Sequence, residues 1–390
     1  MRIAAFSRST PAHFLAGGME RHLDQVVRGL AARGHDVTVF TTRLPSGATP
    51  DAETTGLQFR YIPNAFPGRY VGGWWGRSRR VFLAEHGASP FDVVFSQSAG
   101  AWGVMRLSPP KRPPCLAAMH GTTGGDVATA IRSRPLHPRT WAKVAMGLYH
   151  SYGYHRPLLP RCEAVVAVSD SVAARLEREV PGLELPIPVI RNGIALGDHA
   201  TADPANSKEV LYAGRVIPDK GVFPLLRAFA SLASRFTEYR LRYVGGGNCL
   251  DALVQEARDL GVADRVDFVG AVPHAAMSRE FARAAVFVLP TLADEGLPLS
   301  MLEAMAAGLP ILSVARGGVG EALNDGVEGR LLPVVTEESV AGALSELLED
   351  AALRARFGLA SRQRVETDFD ERRMLDAYES ALTHLAERRG

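Results

Sequence analysis

From Pro290 to Pro310 the chain reads PTLADEGLPLSMLEAMAAGLP, and two carboxylates, Glu295 and Glu303, stand eight residues apart within it. An apolar run ends near Pro290, a short loop carries Asp294 and Glu295, and Pro298 falls where a helix would begin. Proline is tolerated there because the N–H it lacks would be unpaired anyway. Gly308 and Pro310 close the helix. The amides of Leu299, Ser300 and Met301 would then point out of the helix start and form an anion site suited to a pyrophosphate. A loop carboxylate such as Glu295 can accept hydrogen bonds from sugar hydroxyls, and Glu303 can take both hydroxyls of a ribose. The equally open alternative, for two carboxylates alone, is that Glu303 is a solvated helix residue and Glu295 a first-turn charge favouring the dipole.

Other clusters have the same character. In the run Val210 to Gly221, Arg215 follows a strand and Lys220 stands near the next helix start. A guanidinium binds phosphate as a fork and an ammonium as a point charge, so the two could offset a departing diphosphate; otherwise they are solvated surface charges. Gly17 and Gly18 follow the first strand and lead into a helix, where backbone can approach a ligand closely or simply turn. Gly245, opening a Gly-Gly-Gly turn after Val244, and Val272, ending a Val-Gly-Ala-Val peptide, lie past other strands. His120 ends the run Cys115–Met119. Asp368-Phe369-Asp370 spells a metal-binding Asp-x-Asp, but Asp370 directly precedes the last helix and is better explained as its N-cap.

The segment carrying Glu295 and Glu303 resembles the Glu-x7-Glu motif of family 4 retaining glycosyltransferases, which have the GT-B fold. The resemblance covers nearly the whole chain and is most specific between Arg215 and Pro310. It implies contact of Glu295 with the donor sugar and of Glu303 with the ribose, and assigns Arg215 and Lys220 to the diphosphate. His120 would lie close to the reacting sugar. Glu295, His120, Lys220 and Arg215 are thus the implied catalytic residues. Gly17, Gly18, Gly245, Val272, Gly296, Leu297, Leu299 and Ser300 join Arg215, Lys220, Glu295 and Glu303 around the donor. Most members carry an aromatic-Gly pair after the first Glu; this chain has Leu297–Pro298, and Pro298 removes one donor-facing amide. The implied reaction moves a hexose or N-acetylhexosamine, with retention and without a metal, from a nucleotide diphosphate sugar. Uridine is the commonest base in the family. No cofactor is expected, the nucleotide sugar being a substrate. A sugar-nucleotide epimerase of the same fold and a non-catalytic sugar-nucleotide binder are the alternatives; no G-x-G-x-x-G with the right context supports an oxidoreductase.

Positioning these residues requires two parallel sheets. Short continuous apolar runs (Arg2–Ser7, Val37–Thr42, Phe91–Ser96, Cys115–Met119, Ala164–Val168) alternate with helical patterns, which predicts a sheet covered on both faces. After a polar stretch from Ala195 to Lys208, read as a linker, the pattern restarts with Val210–Ala213, Leu241–Val244, Val266–Val269, Val286–Leu289 and Ile311–Val314. The expectation is GT-B: two doubly wound Rossmann-like domains facing across a cleft, the first spanning 1–197, the second 198–369. A helix in 370–390, with Met374, Tyr378, Leu382 and Leu385 at helical spacing, would return to the first domain. Ligands in such sheets bind at the carboxyl ends of the strands.

Composition narrows the partners. With 46% hydrophobic and 22% charged residues the chain is an ordinary globular one. No apolar run nears the roughly 20 residues that span a bilayer, and the first residues read as a buried strand, not a signal peptide. Three cysteines, far apart in sequence, fit a reducing cytosol. The expected location is therefore cytoplasmic, with peripheral contact at the inner membrane face left open. Residues 1–200 hold 23 Lys and Arg against 14 Asp and Glu, the remainder 21 against 28. The basic first half, with Arg132, Arg134 and Trp141 in a segment free of acids from Val127 to Cys162, is either a solvated surface or an acceptor site. It would suit a glycan, lipid-linked or small-molecule acceptor, or the membrane itself. The acidic second half argues against nucleic acid.

Overall fold

The computed structural model describes residues 1–13, 17–133, 138–184, 186–198 and 200–388. Among these residues, twelve strands form two six-stranded parallel sheets. The first contains β1 (Arg2–Phe6), β2 (Asp36–Thr42), β3 (Leu57–Ile62), β4 (Val93–Gln97), β5 (Cys115–Met119) and β6 (Ala164–Ala167), in the order β3-β2-β1-β4-β5-β6. The second contains β7 (Glu209–Ala213), β8 (Arg240–Val244), β9 (Val266–Gly270), β10 (Ala284–Leu289), β11 (Ile311–Val314) and β12 (Gly329–Leu332), in the order β12-β11-β10-β7-β8-β9. In both, the first and fourth strands of the sheet are neighbours and the chain winds outward from them. That junction is the switch point at which open α/β sheets hold ligands.

The edge strands β3 and β12 are absent from the apolar runs, and both have a physical reason. In β3, Gln58 and Arg60 break the run, and β12 is four residues beginning with glycine. Edge strands of this kind, short or charged, resist pairing with other chains. Every residue of the interior strands β4, β5, β10 and β11 is buried, because both their faces are covered.

In the first unit (residues 1–124, 145–191 and 373–390), one face of the sheet offers Ile3, Ala5, Val37, Val39, Val93, Phe95, Leu116 and Ala118. The period of two is that of side chains alternating across a strand. Leu23, Val26, Val27 and Leu30 of the helix Gly18–Ala32 pack on this face, and so do Met374, Leu375, Tyr378, Leu382 and Leu385 of the helix Glu371–Glu387. The last helix thus returns to the first sheet. Burying each of these large side chains contributes about 1.5–3 kcal/mol. Gly29 is the point of closest approach: a Cβ there would stand 2.5 Å from the Leu375 methyls.

The second unit comprises residues 125–144 and 192–372, so 125–144 packs with it, whereas the sequence reading placed that segment in the first domain. Nor is 195–208 a loose linker. Ala202 donates to the Ala307 carbonyl at 2.8 Å, and the buried Arg354 donates to the carbonyls of Pro204 (2.6 Å) and Ala205 (2.8 Å). One further difference concerns the cysteines. Cys115 and Cys162 are distant in sequence, but adjacent strands bring their thiols into contact; burial first, and that contact second, push the Cys115 thiol well up.

Candidate active site

The carboxyl ends of β7 and β10 carry the strongest cluster. Lys220 in the turn after β7 forms an ion pair with Glu295 Oε1 in the loop after β10, each side chain only 13% exposed. Thr291 Oγ1 donates to the same oxygen at 2.8 Å. The two loops are tied by backbone: the amides of Leu292 and Ala293 donate to the Asp219 carbonyl at 2.9 and 3.1 Å. Gly221, with φ +69°, lets the first loop press on the second, since a Cβ there would meet the Pro290 carbonyl at 1.9 Å. From the other side Gly317, with φ +56°, abuts the Glu295 carbonyl, which accepts from Gly318 N at 2.9 Å. Glu295 is therefore held by its backbone on two sides and by two donors at its carboxylate. Arg215, two residues past β7, is exposed, and among the described residues its guanidinium has no ion-pair partner.

Pro298 is the N-cap of the helix Leu299–Ala306. Its carbonyl accepts from Met301 N and Leu302 N, both at 3.2 Å. This corrects one expectation: the Met301 amide is already engaged, and only Leu299 and Ser300, the first two helical residues, lack an intrahelical acceptor. Glu303 is not a solvated helix residue. It is fully buried, with Oε1 3.8 Å from His274 Nδ1 at the start of the helix His274–Ala282. A carboxylate taken out of water requires hydrogen-bond donors. Leu297 is buried, and its carbonyl accepts from the buried Asn192 Nδ2 at 2.7 Å; Gly296 and Ser300 remain half-buried.

The other donor-side residues lie on neighbouring turns. Gly245 follows β8 with φ +135°, and a Cβ there would stand 1.9 Å from the Gly214 carbonyl. Glycine is required at this position by backbone packing against the turn after β7, not by room for a ligand. Gly246 faces open space, and Val272, just past β9, is half-buried.

At the same junction of the first sheet the chemistry is neutral. Ser7 Oγ, after β1, donates to Gln97 Oε1 of β4 at 2.8 Å. The Gln97 amide donates to the Met19 carbonyl at 2.5 Å and faces His120 Nε2 at 3.4 Å. An amide N–H toward Nε2 makes that nitrogen the acceptor, so the ring proton of neutral His120 belongs on Nδ1. Burial lowers the His120 pKa to about 4. The His22 ring stands edge-on to it, centroids 4.4 Å apart, and burial followed by His120 lowers His22 well below its usual value. Gly17 is the N-cap of the helix Gly18–Ala32; a Cβ there would meet the Glu20 carboxylate at 1.9 Å, whereas Gly18 faces open space.

The acceptor-side residues separate. Arg132 donates to the Leu292 carbonyl at 3.1 Å and to Asp294 Oδ1 at 3.3 Å, so it braces the Glu295 loop. Thr129 Oγ1 adds a bond to Asp294 N at 3.2 Å. Trp141 is 60% exposed on the helix Pro138–His150. Arg134 lies outside the described residues. Asp370 Oδ1 accepts from Arg372 N at 2.8 Å, the N-cap contact expected of it. Among the described residues no group of three or more His, Cys, Asp or Glu is placed to hold a metal ion, and no helix is long and apolar enough to cross a membrane. Sequence reasoning missed Thr291, Gly317, Gln97 and Ser7. Only their position after strand ends could have pointed to them, because each acts on a residue remote in sequence.

Two doubly wound sheets of this strand order are the architecture of the GT-B fold. Residues 16–197 match the family described as Glycosyltransferase Family 4, and residues 198–364 that described as Glycosyl transferases group 1. The chain belongs to family 4 of the glycosyltransferases. A phosphatidyl-myo-inositol mannosyltransferase of Mycolicibacterium smegmatis is 29% identical over 361 residues, 90% of this chain and 86% of that one. Among solved structures, sucrose-phosphate synthase of Thermosynechococcus elongatus superposes with a TM-score of 0.83 at 23% identity, covering 98% of both chains. Anabaena HepE in complex with UDP-glucose gives 0.77 at 18% identity, covering 98% of this chain and 100% of that one.

Proposed function

We infer that this glycosyltransferase moves a hexose or N-acetylhexosamine from a nucleotide diphosphate sugar, with retention and without a metal ion, to a hydroxyl of a glycan, lipid-linked or small-molecule acceptor. The observation that carries the reading is the Lys220–Glu295 pair at the second switch point, with the exposed Arg215 two residues past β7. Paired, the two charges hold each other in place before the donor arrives. Donor phosphate then draws Lys220 and the Arg215 fork, which offset the charge that grows on the leaving diphosphate. Glu295 turns to hydroxyls of the sugar. The amides of Leu299 and Ser300 add the positive end of their helix, and buried Glu303 accepts from the two ribose hydroxyls. Neutral His120, its ring proton on Nδ1, is the residue that the family resemblance assigns to the reacting sugar. The acceptor oxygen bonds to the anomeric carbon on the face from which phosphate departs, and the departing phosphate oxygen takes the acceptor proton.

Uridine as the base draws support from HepE, whose complex is with UDP-glucose, and a lipid-linked acceptor from the phosphatidyl-myo-inositol mannosyltransferase. Thermal-shift measurements against UDP, GDP and ADP sugars test the donor. A nucleotide sugar at a hundred times its Kd should stabilise the chain by about 2.7 kcal/mol, and UDP sugars should give the largest rise in Tm. Turnover should survive EDTA. A chain whose Tm no sugar nucleotide moves, or whose turnover a chelator abolishes, contradicts the proposal.

A further inference from the structure

At the end of the first sheet remote from His120, where β5 and β6 begin, lies a cavity of about 690 Å³. The five residues of β5, roughly 16 Å of strand, separate that end from His120. All the lining residues belong to the first unit, and the size is that of a small-ligand site. Pro109, Pro114, Pro160 and Pro188 make much of the wall stiff, and Leu159 and Leu385 make it apolar. Its charged groups are two of each sign, Arg112 and Arg388 against Glu163 and Glu184. Arg112, 3% exposed, is fixed in place: it donates to both Glu163 oxygens at 3.1 Å and to the Arg161 carbonyl at 2.8 Å. A wall without net charge does not select a nucleotide or another anion.

The wall also holds an unfinished strand edge. β6 is the outermost strand and pairs on one side with β5. In a parallel ladder one residue turns both its N–H and its C=O to one neighbour, and the next residue turns both to the other. Val168 N donates to the Met119 carbonyl next to β6 at 3.1 Å. Ala167 faces the other way: its N–H donates to the Pro188 carbonyl and its carbonyl accepts from Ile190 N, both at 2.9 Å. By the same alternation Val165 turns its N–H and C=O away from β5, and Val165 lines the cavity. Continuing the outer ladder would set Pro188 against the Val165 carbonyl, and proline has no N–H to give. The flanking segment therefore pairs with β6 at Ala167 and leaves the edge open at Val165.

We propose that this cavity receives an extended peptide segment of a partner protein, uncharged and with apolar side chains on one face, which adds to β6 as a further strand. Such a segment brings the N–H and C=O that Val165 is without, and its apolar side chains meet the proline and leucine wall. Backbone pairing asks for no net charge, which matches the balanced wall. The occupant sits at the opposite end of the strands from His120 and leaves that junction free.

The probes are neutral peptides of about five residues, roughly 17 Å when extended, alternating threonine with valine or leucine, acetylated and amidated. Binding is read by saturation-transfer NMR. Wild-type protein should bind them, and methylating single peptide nitrogens should weaken binding at alternate positions only, by about two- to tenfold, the scale of one backbone hydrogen bond. Val165→Pro removes the outward N–H at an edge position, where proline is tolerated, and should weaken binding by as much. Pro188→Ala supplies the N–H that the ladder lacks, lets the chain close on Val165, and should also weaken the peptide; it carries the test if Val165→Pro does not fold. Leu183→Lys places a charge in the wall and should lower affinity with the strand edge unchanged. Circular dichroism and UDP affinity should be the same in the folded variants, and saturating UDP should not displace the peptide. Absence of peptide binding by wild-type protein, methylation effects without alternation, undiminished binding in Pro188→Ala and in folded Val165→Pro, or displacement by UDP overturns the proposal.

Discussion

At the junction of β7 and β10 a lysine meets a glutamate; at the corresponding junction of β1 and β4 a serine hydroxyl meets a glutamine amide, with a neutral histidine behind it. The strand order is the same in both sheets, so the backbone delivers the same two loops to the same place twice. What differs is the chemistry installed there. The second site suits a ligand that arrives and leaves with concentrated negative charge, which a paired cation and carboxylate can answer by exchanging partners. The first suits hydroxyls, which need fixed donors and acceptors of known tautomer. Topology chooses the location and side chains choose the ligand, which is why a fold alone does not name an activity.

Breaking the charged pair should do the most. Lys220→Ala and Glu295→Gln should each lower kcat/KM by at least about 100-fold, the scale of losing one electrostatic contact to a transition state. Circular dichroism should show an intact fold. Full activity in either variant would remove the contrast between the two junctions. A smaller effect is expected at Glu303, where the contact is to the ribose and is the same in ground and transition states. Glu303→Gln should raise donor KM about tenfold with kcat nearly unchanged, and a loss confined to kcat would argue against a ribose contact.

The neutral junction gives the smallest and most specific signal. His120 and His155 have folded pKa values lowered to about 4, and His22 is lowered well below its usual value, each mainly by burial. Below pH 6.5 the unfolded chain binds protons that the folded chain refuses, so these histidines stabilise less as pH falls from about 6.5 toward 4. Tm should decline across that window, and His120→Asn should flatten part of the decline. Because His120 stays neutral, transfer should show no inflection near pH 6.5 from this residue. A histidine inflection there that disappears in His120→Asn would mean that the first junction is not neutral.

Much of this was legible in the chain. The run Cys115–Met119 is β5 residue for residue, because a strand buried on both faces favours apolar residues throughout. Lys220, Arg215 and Glu295 were identifiable from their places after apolar runs, and Asp370 from its place before a helical pattern. Gln97 was not. It lies one residue past the run Phe91–Ser96, and its importance comes from Ser7 and His120, 90 and 23 positions away. The partner of Arg132 was hidden for the same reason: in sequence it is one cation of a basic segment, but it pairs with Asp294, 162 positions on.

Sequence by itself determined the interior strands, the helices between them and the residue types able to meet a nucleotide sugar, because those depend on periodicity and on functional groups at local spacing. Only the tertiary structure decided that Glu303 is buried, that Gly317 and Gly221 clamp the Glu295 loop, that Met301 N–H is already taken, and that the rings of Tyr70 and Trp75 meet that of Tyr154 from a remote segment. Burial, hydrogen-bond partnership and tautomer are properties of what surrounds a group, and here the surroundings come from parts of the chain that no local pattern connects.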